Sequence, residues 1–211
     1  MPVMTESTIW RFEARRCGAA ALALPLTVAA ALIALAAALA GNGTAVGTGM
    51  VRLTSTVFPV ACGIAAATAV GRERLLELQL TVATPYPTTF SRRLAVIAAV
   101  VLIGAAALVG ALQAAGLWQH PARGPLALLV PIGPALFLVG LAAWAAAALR
   151  STAAASTVVI GGWLFQVFLW DAFVAVWQLN RGLLIAAGVL LTYRALRRLR
   201  DPERLLTGSQ R

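Results

Sequence analysis

The 211-residue sequence contains no lysine; all 17 of its basic residues are arginine. Without a lysine amine the chain cannot supply the phosphate-binding lysine of a P-loop, nor can it form a Schiff base. It is nearly as poor in other reactive groups, with one histidine, two cysteines and seven carboxylates. His120 stands with Trp118, Gln119 and Arg123 but has no Cys, Asp or Glu nearby, so it cannot build a zinc site, and the sequence has no HExxH helix. It reads as a solvated loop residue. Cys17 opens one apolar run and Cys62 lies in the middle of the next, so neither a disulfide nor a metal site is expected. No intramembrane Ser and His pair that could make a hydrolase is visible. Charged residues amount to only 11% and apolar ones to 61%. A soluble domain carries about 25% and about 45–50% respectively, so ordinary cytosolic folding is excluded and most of the surface must lie in lipid.

The apolar excess resolves into six stretches long enough to cross a bilayer: Gly18 to Ala40, Leu53 to Val70, Leu94 to Leu117, Leu126 to Leu149, Ala153 to about Trp170, and Gly182 to Leu196. The first has an uncharged core of 23 residues, well beyond a signal-peptide h-region of about 7–15, and reads as a retained span. The last is short. Only 12 uncharged residues separate Arg181 from Arg194, which cover roughly 18 Å of an apolar layer about 30 Å thick. Snorkelling of the two arginines would make up most of the difference. The expected fold class is therefore all-α and polytopic, with six transmembrane helices in a single transmembrane domain over 1–211.

The arginines punctuate the apolar runs instead of clustering on a solvated face, so the net charge of +10 is a topology signal and no nucleic-acid partner is expected. With the N-terminus inside, 14 arginines lie in the cytoplasm and three, Arg52, Arg123 and Arg181, lie outside. That positive-inside bias requires an even number of spans with both termini cytoplasmic.

The segments between spans carry the functional candidates. Residues 1–17, with Trp10 and Phe12 among Arg11, Arg15 and Arg16, suit a cytoplasmic interfacial segment against membrane lipid; a plain basic flank fits equally. Gly41 to Gly49 reads as an exported loop or a frayed helix end. The cytoplasmic loop over 71–93 is longer than a turn requires. In it Leu75, Leu78 and Val82 recur at helical spacing beside Arg72, Glu73 and Glu77, and Pro85 and Pro87 stop the helix. Such a helix suits docking in a partner's groove, or lying on the bilayer. Pro25, Pro59, Pro131 and Pro134 fall inside spans and read chiefly as packing features. The many small-xxx-small pairs of so alanine-rich a chain arise by chance and carry no weight.

Trp163, Phe165, Phe168, Trp170, Phe173 and Trp177 crowd the approach to the last span, where an outer aromatic belt and a short interfacial or re-entrant helix are expected. Asp171, among them, is the one acidic residue in or bordering a span. With Trp170 and Phe173 it is the candidate substrate-path or outer-gate position, either contacting substrate or pairing with Arg181; capping the wet outer end of span five is the alternative.

The amphipathic N-terminal segment, the six spans with both ends inside, and the leucine-rich, proline-terminated loop Glu73 to Pro85 together resemble the ABC-2 type permease family. Asn180-Arg181 before the last span and Arg197 to Leu206 after it are similar to family members. The likeness covers nearly the whole chain through loose motifs. It departs at Glu77, which lies two positions farther from the proline than the family's usual acidic residue, with Gln79 in that place. The resemblance implies the permease subunit of an exporter in a bacterial plasma membrane, a multi-pass chain that forms the pathway with a second permease subunit. It implies a separate ABC ATPase subunit that binds ATP and Mg, and no cofactor on this chain. Arg72, Glu73, Arg74, Leu76, Glu77 and Leu80 are the implied contacts to that ATPase, and 197–211 is a cytoplasmic tail. The missing lysine agrees, since a chain without a Walker A lysine needs a motor on another polypeptide. The substrate would be a hydrophobic drug, a peptide or a lipid. Two other classes stay open: an ion-coupled secondary transporter, for which no internal repeat or midplane carboxylate is visible, and a non-catalytic membrane anchor.

Overall fold

The computed structural model describes residues 15, 17–39, 44–71, 86–149 and 151–200. Six helices account for nearly all of them: α1 (Ala19–Ala38), α2 (Thr44–Gly71), α3 (Tyr86–Ala114), α4 (Leu129–Leu149), α5 (Thr152–Phe173) and α6 (Trp177–Leu199). A 3-10 turn, Gly124–Leu128, leads into α4. All six are long and apolar enough to span a membrane, and no strand occurs among the described residues. The chain is an all-α, multi-pass membrane protein.

Two helices form the centre. The α2 and α4 spans are each 67% buried inside the protein, against 17–39% for the other four. They pack on each other; α6 lies along α4, α1 and α3 flank α2, and α5 crosses both. A helix apolar on every side belongs in the interior, and α4 fits, with Ala135, Leu138, Ala142, Ala143, Ala145 and Ala146 all buried. Its alanines let neighbouring backbones come close, which is how helices associate where lipid supplies no hydrophobic drive. Pro25, Pro59, Pro131 and Pro134 are all buried among these contacts, as packing features would be.

Two helix starts lie earlier than hydropathy alone places them. α2 begins at Thr44, so Thr44 to Gly49 of the glycine-rich string are helix. α3 begins at Tyr86 and takes 86–93 from the expected loop. Pro87 lies in its first turn, where a missing N–H costs nothing. Arg93 does not need solvent: it is 4% exposed and its Nη1 donates to the Ala69 carbonyl at 3.4 Å. α3 ends in a Schellman turn. Gly116 (φ +68°) donates to Gln113 O at 3.1 Å and Leu117 to Leu112 O at 3.0 Å, with the two leucines buried against the core.

The small-residue spacing dismissed as chance has a physical role in one place. A Cβ on Gly133 would meet the Arg181 backbone at 3.2 Å, and one on Gly140 would collide with the Gly188 carbonyl. The pairs 133/181 and 140/188 advance together by seven residues, two helical turns, so α4 and α6 run parallel with backbone against backbone.

Candidate functional site

The α5–α6 junction gathers the polar groups of an otherwise apolar bundle. α5 starts at Ser151, whose hydroxyl accepts from Ala154 N at 3.4 Å, and runs α-helically to Phe165. It then widens into a π turn, Gln166–Trp170, followed by one α turn, Asp171–Phe173. The i→i+5 bonding of a π turn sets Asp171 over Gln166, on the face turned to the protein. After Val174 to Val176 the chain re-enters as α6 at Trp177. The separate interfacial or re-entrant helix expected here is replaced by this continuation of α5, because the extra residue of the π turn keeps the backbone hydrogen-bonded to Phe173.

Asp171 pairs with Arg181. Its Oδ1 accepts from Arg181 Nη1 at 3.1 Å and from Asn180 Nδ2 at 3.0 Å. Asn180 also donates to the Val174 carbonyl at 3.3 Å, and its Oδ1 accepts from Arg181 Nη1 at 3.1 Å. The Arg181 side chain is 11% exposed, Asp171 30%, and Asn180 as a whole 4%. The three residues form a clip across the break between the last two helices. Of the sequence candidates, Asp171 is at the centre of this clip. Trp170 lies one residue away on the π turn, and Phe173 is 82% exposed and takes no part. Sequence reasoning does not single out Gln166, and it marks Asn180 only as part of a family-like pair with Arg181, without a role. Gln166 is fully buried, and neither its amide atoms nor the Trp170 indole N–H has a hydrogen-bond partner among the described residues.

The loop before α4 closes over the same end. Trp118 Nε1 donates to Ala122 O at 2.7 Å, and His120 Nδ1 accepts from Ala122 N at 3.1 Å. The His120 ring packs edge-on to Trp177 (centroids 5.4 Å) and tilted to Trp118 (6.0 Å). Val51, Ala122 and Val130 are buried beneath these tryptophans. His120 is thus half-buried and not the solvated residue expected, because the first turn of α6 brings Trp177 onto it. Trp163 is likewise no headgroup-level ring but crosses to α2, where its Nε1 donates to Thr56 O at 3.1 Å.

Burial, and after it the positive charge of Arg181, hold the His120 pKa below its ordinary value. The folded loop therefore binds fewer protons than the unfolded chain. Its stability is complete above about pH 6.5 and falls as the pH drops below that value. Tryptophan fluorescence titrated from pH 8 to 5 should show an acid-side change that His120→Leu removes; the same change in that variant would assign it to another group.

At the opposite end, α2 leads into the long loop through a fixed junction. Thr152 Oγ1 donates to the Gly71 carbonyl at 2.9 Å, and Arg93 reaches Ala69 O two residues earlier. Two terminal carbonyls of α2 are thereby satisfied from α5 and α3, one by a cation placed favourably at a helix C-terminus. A Cβ on Gly71 would strike Thr152, so only glycine fits at this contact. The residues beyond it that the sequence marks for partner contact, Arg72, Glu73, Arg74, Leu76, Glu77 and Leu80, lie outside the described residues, as do the 197–211 tail from residue 201 and the 1–17 segment apart from residues 15 and 17.

Cys17 and Cys62 are both buried and form no disulfide with each other, and among the described residues no three His, Cys, Asp or Glu side chains converge to hold a metal. The described arginines fall on two sides: Arg15, Arg92, Arg93, Arg194, Arg197, Arg198 and Arg200 belong to the end that carries the α2–α3 and α4–α5 connections, and Arg52, Arg123 and Arg181 to the end with the clip. No family model, no curated protein and no solved structure matches this chain.

Proposed function

We propose that the chain is the permease subunit of an ABC transporter, forming with a second permease subunit an export pathway for a hydrophobic or amphipathic substrate. A separate ATPase subunit binds ATP and Mg and drives it through residues 72–85. On this reading the arginine-rich end of the bundle is cytoplasmic, both termini lie there, and the membrane is a bacterial plasma membrane. The clip at Asp171 is then the outer closure, beside Trp170.

The observation that carries the reading is the anchored junction at the end of α2. A loop that only turned the chain would need neither its length nor fixed ends. A lever that passes force from a soluble motor to the bundle needs attachment to several helices at once. Gly71, Thr152 and Arg93 supply it, joining the loop's origin to α5 and α3. The absence of lysine supports the same division of labour, since the chain has no Walker A site of its own.

The double variant Glu73→Lys/Glu77→Lys is expected to insert and fold as the parent does, while transport falls at least tenfold because like charge replaces the attraction to the partner. Copurification of a soluble ATPase should weaken in parallel. Unchanged transport in this variant would sink the assignment, and proton-driven flux by the purified chain alone would replace it with an ion-coupled carrier.

A further inference from the structure

On the face away from α2, helices α3, α4 and α6 leave a groove of about 400 Å³ open to the bilayer. Leu94, Ala95 and Ala98 form one wall, Leu136 and Val139 the floor, and Val189, Thr192, Tyr193 and Leu196 the other wall. Its depth follows from the close crossing of α4 and α6. Gly188, which the Leu136 backbone leaves no room to carry a side chain, forms part of the lining. From Gly188 to Leu196 the groove runs about 12 Å along α6, toward the arginine-rich end.

Helical geometry puts charge at its mouth. Arg197 and Arg200 lie four residues beyond Tyr193 and Leu196, the spacing that stacks side chains on one helix face, and Arg92 lies three residues before Ala95 on the facing wall. Arg197 and Arg200 are exposed and Arg92 is half-buried, and the Asp171–Arg181 ion pair lies at the far end. Asp201 and Glu203, the nearest carboxylates in sequence, lie outside the described residues. An apolar slot with three guanidiniums on its rim matches one kind of molecule, an acyl chain ending in an anionic headgroup. We infer that this groove is a binding site for a single anionic phospholipid, its acyl chain along α6 between α3 and α4 and its phosphate held by Arg92, Arg197 and Arg200. The inference rests on the bundle alone and does not depend on the transporter reading.

The test uses the full chain purified in neutral detergent, with dioleoyl phosphatidylglycerol and dioleoyl phosphatidylcholine as probes, and counts retained lipid by native mass spectrometry. The parent should retain phosphatidylglycerol about tenfold more strongly than phosphatidylcholine, as expected for several arginines acting together on an anionic headgroup. Arg92→Gln/Arg197→Gln/Arg200→Gln should reduce that preference to within about twofold. Ala95→Trp, which fills the groove from an exposed position, should lower retention of both lipids. Equal retention of the two lipids by the parent, or an undiminished preference in the triple variant, would overturn the site. Stabilisation by inorganic phosphate equal to that by phosphatidylglycerol would overturn the acyl half of it. Efficient disulfide crosslinking of Ala95→Cys between two copies, with no lipid retained, would show that the groove is a subunit contact instead.

Discussion

Replacing Asp171 with alanine is expected to cost about 3 kcal/mol of stability in detergent, the low end of the range for breaking a buried ion pair because its carboxylate is only partly enclosed. The loss comes less from the missing attraction than from what is left behind. Arg181, with a side chain 11% exposed and its guanidinium directed into the α5–α6 break, keeps its charge but retains only the Asn180 side-chain oxygen. Asp171→Asn keeps an acceptor of the same shape and should lose roughly half as much. Asp171→Leu with Arg181→Leu removes both charges and should recover most of the stability, since an apolar pair of similar volume replaces a buried ion pair at little cost. Thermal unfolding of the four proteins in one detergent decides this. If Asp171→Ala melts with the parent, the clip does not hold the last two helices together. On the proposed transporter reading, stability in the expected order together with parental transport by Asp171→Asn would make the pair structural and not a gate.

The second large effect concerns glycine. A Cβ at Gly188 would press on the Leu136 carbonyl oxygen and lie 2.7 Å from the carbonyl carbon and 2.9 Å from Phe137 N, all backbone of a buried helix. Nothing flexible can yield, so α6 must move off α4. Gly188→Ala is expected to destabilise by about 1–3 kcal/mol, and Gly188→Leu by more. Gly182, in the same helix, has nothing within 4 Å of such an atom. There alanine should be neutral or stabilise by up to about 1 kcal/mol through helix propensity. Equal melting of Gly182→Ala and Gly188→Ala would show that the backbone contact does not set the position of α6.

Hydropathy and arginine counting made the membrane class and the six spans legible, because both depend on averages over about twenty residues. What failed were the positions where one residue's neighbour matters more than its type. Arg181 shortened the sixth span on paper to 12 uncharged residues; in the protein α6 begins four residues before it and reaches 23 residues, about 34 Å, because Asp171 answers the charge. Arg93, read as the end of the cytoplasmic loop over 71–93, lies inside α3 and is buried against Ala69. The glycines that set the α4–α6 contact are lost in an alanine-rich sequence where small residues at every spacing abound. Asn180 could have been suspected from its place beside Arg181 at the start of a span, but Gln166 carried no signal, since one amide in an apolar run says nothing about which side faces the protein.

The π turn in α5 makes residue count, and not residue chemistry, the sensitive quantity in that stretch. It accommodates one residue more than an α-helix would before Asp171. Shortening the chain by one within Gln166–Trp170 returns the turn to i→i+4 bonding and leaves Asp171 over Gln166, whereas one further residue there leaves the span apolar and long enough to insert yet turns Asp171 by about 100° toward lipid. Exchanges among Val167, Phe168 and Leu169 leave the aspartate where it is. A single-codon insertion there would act on the clip as a removal of Asp171 does, through a change that hydropathy cannot register.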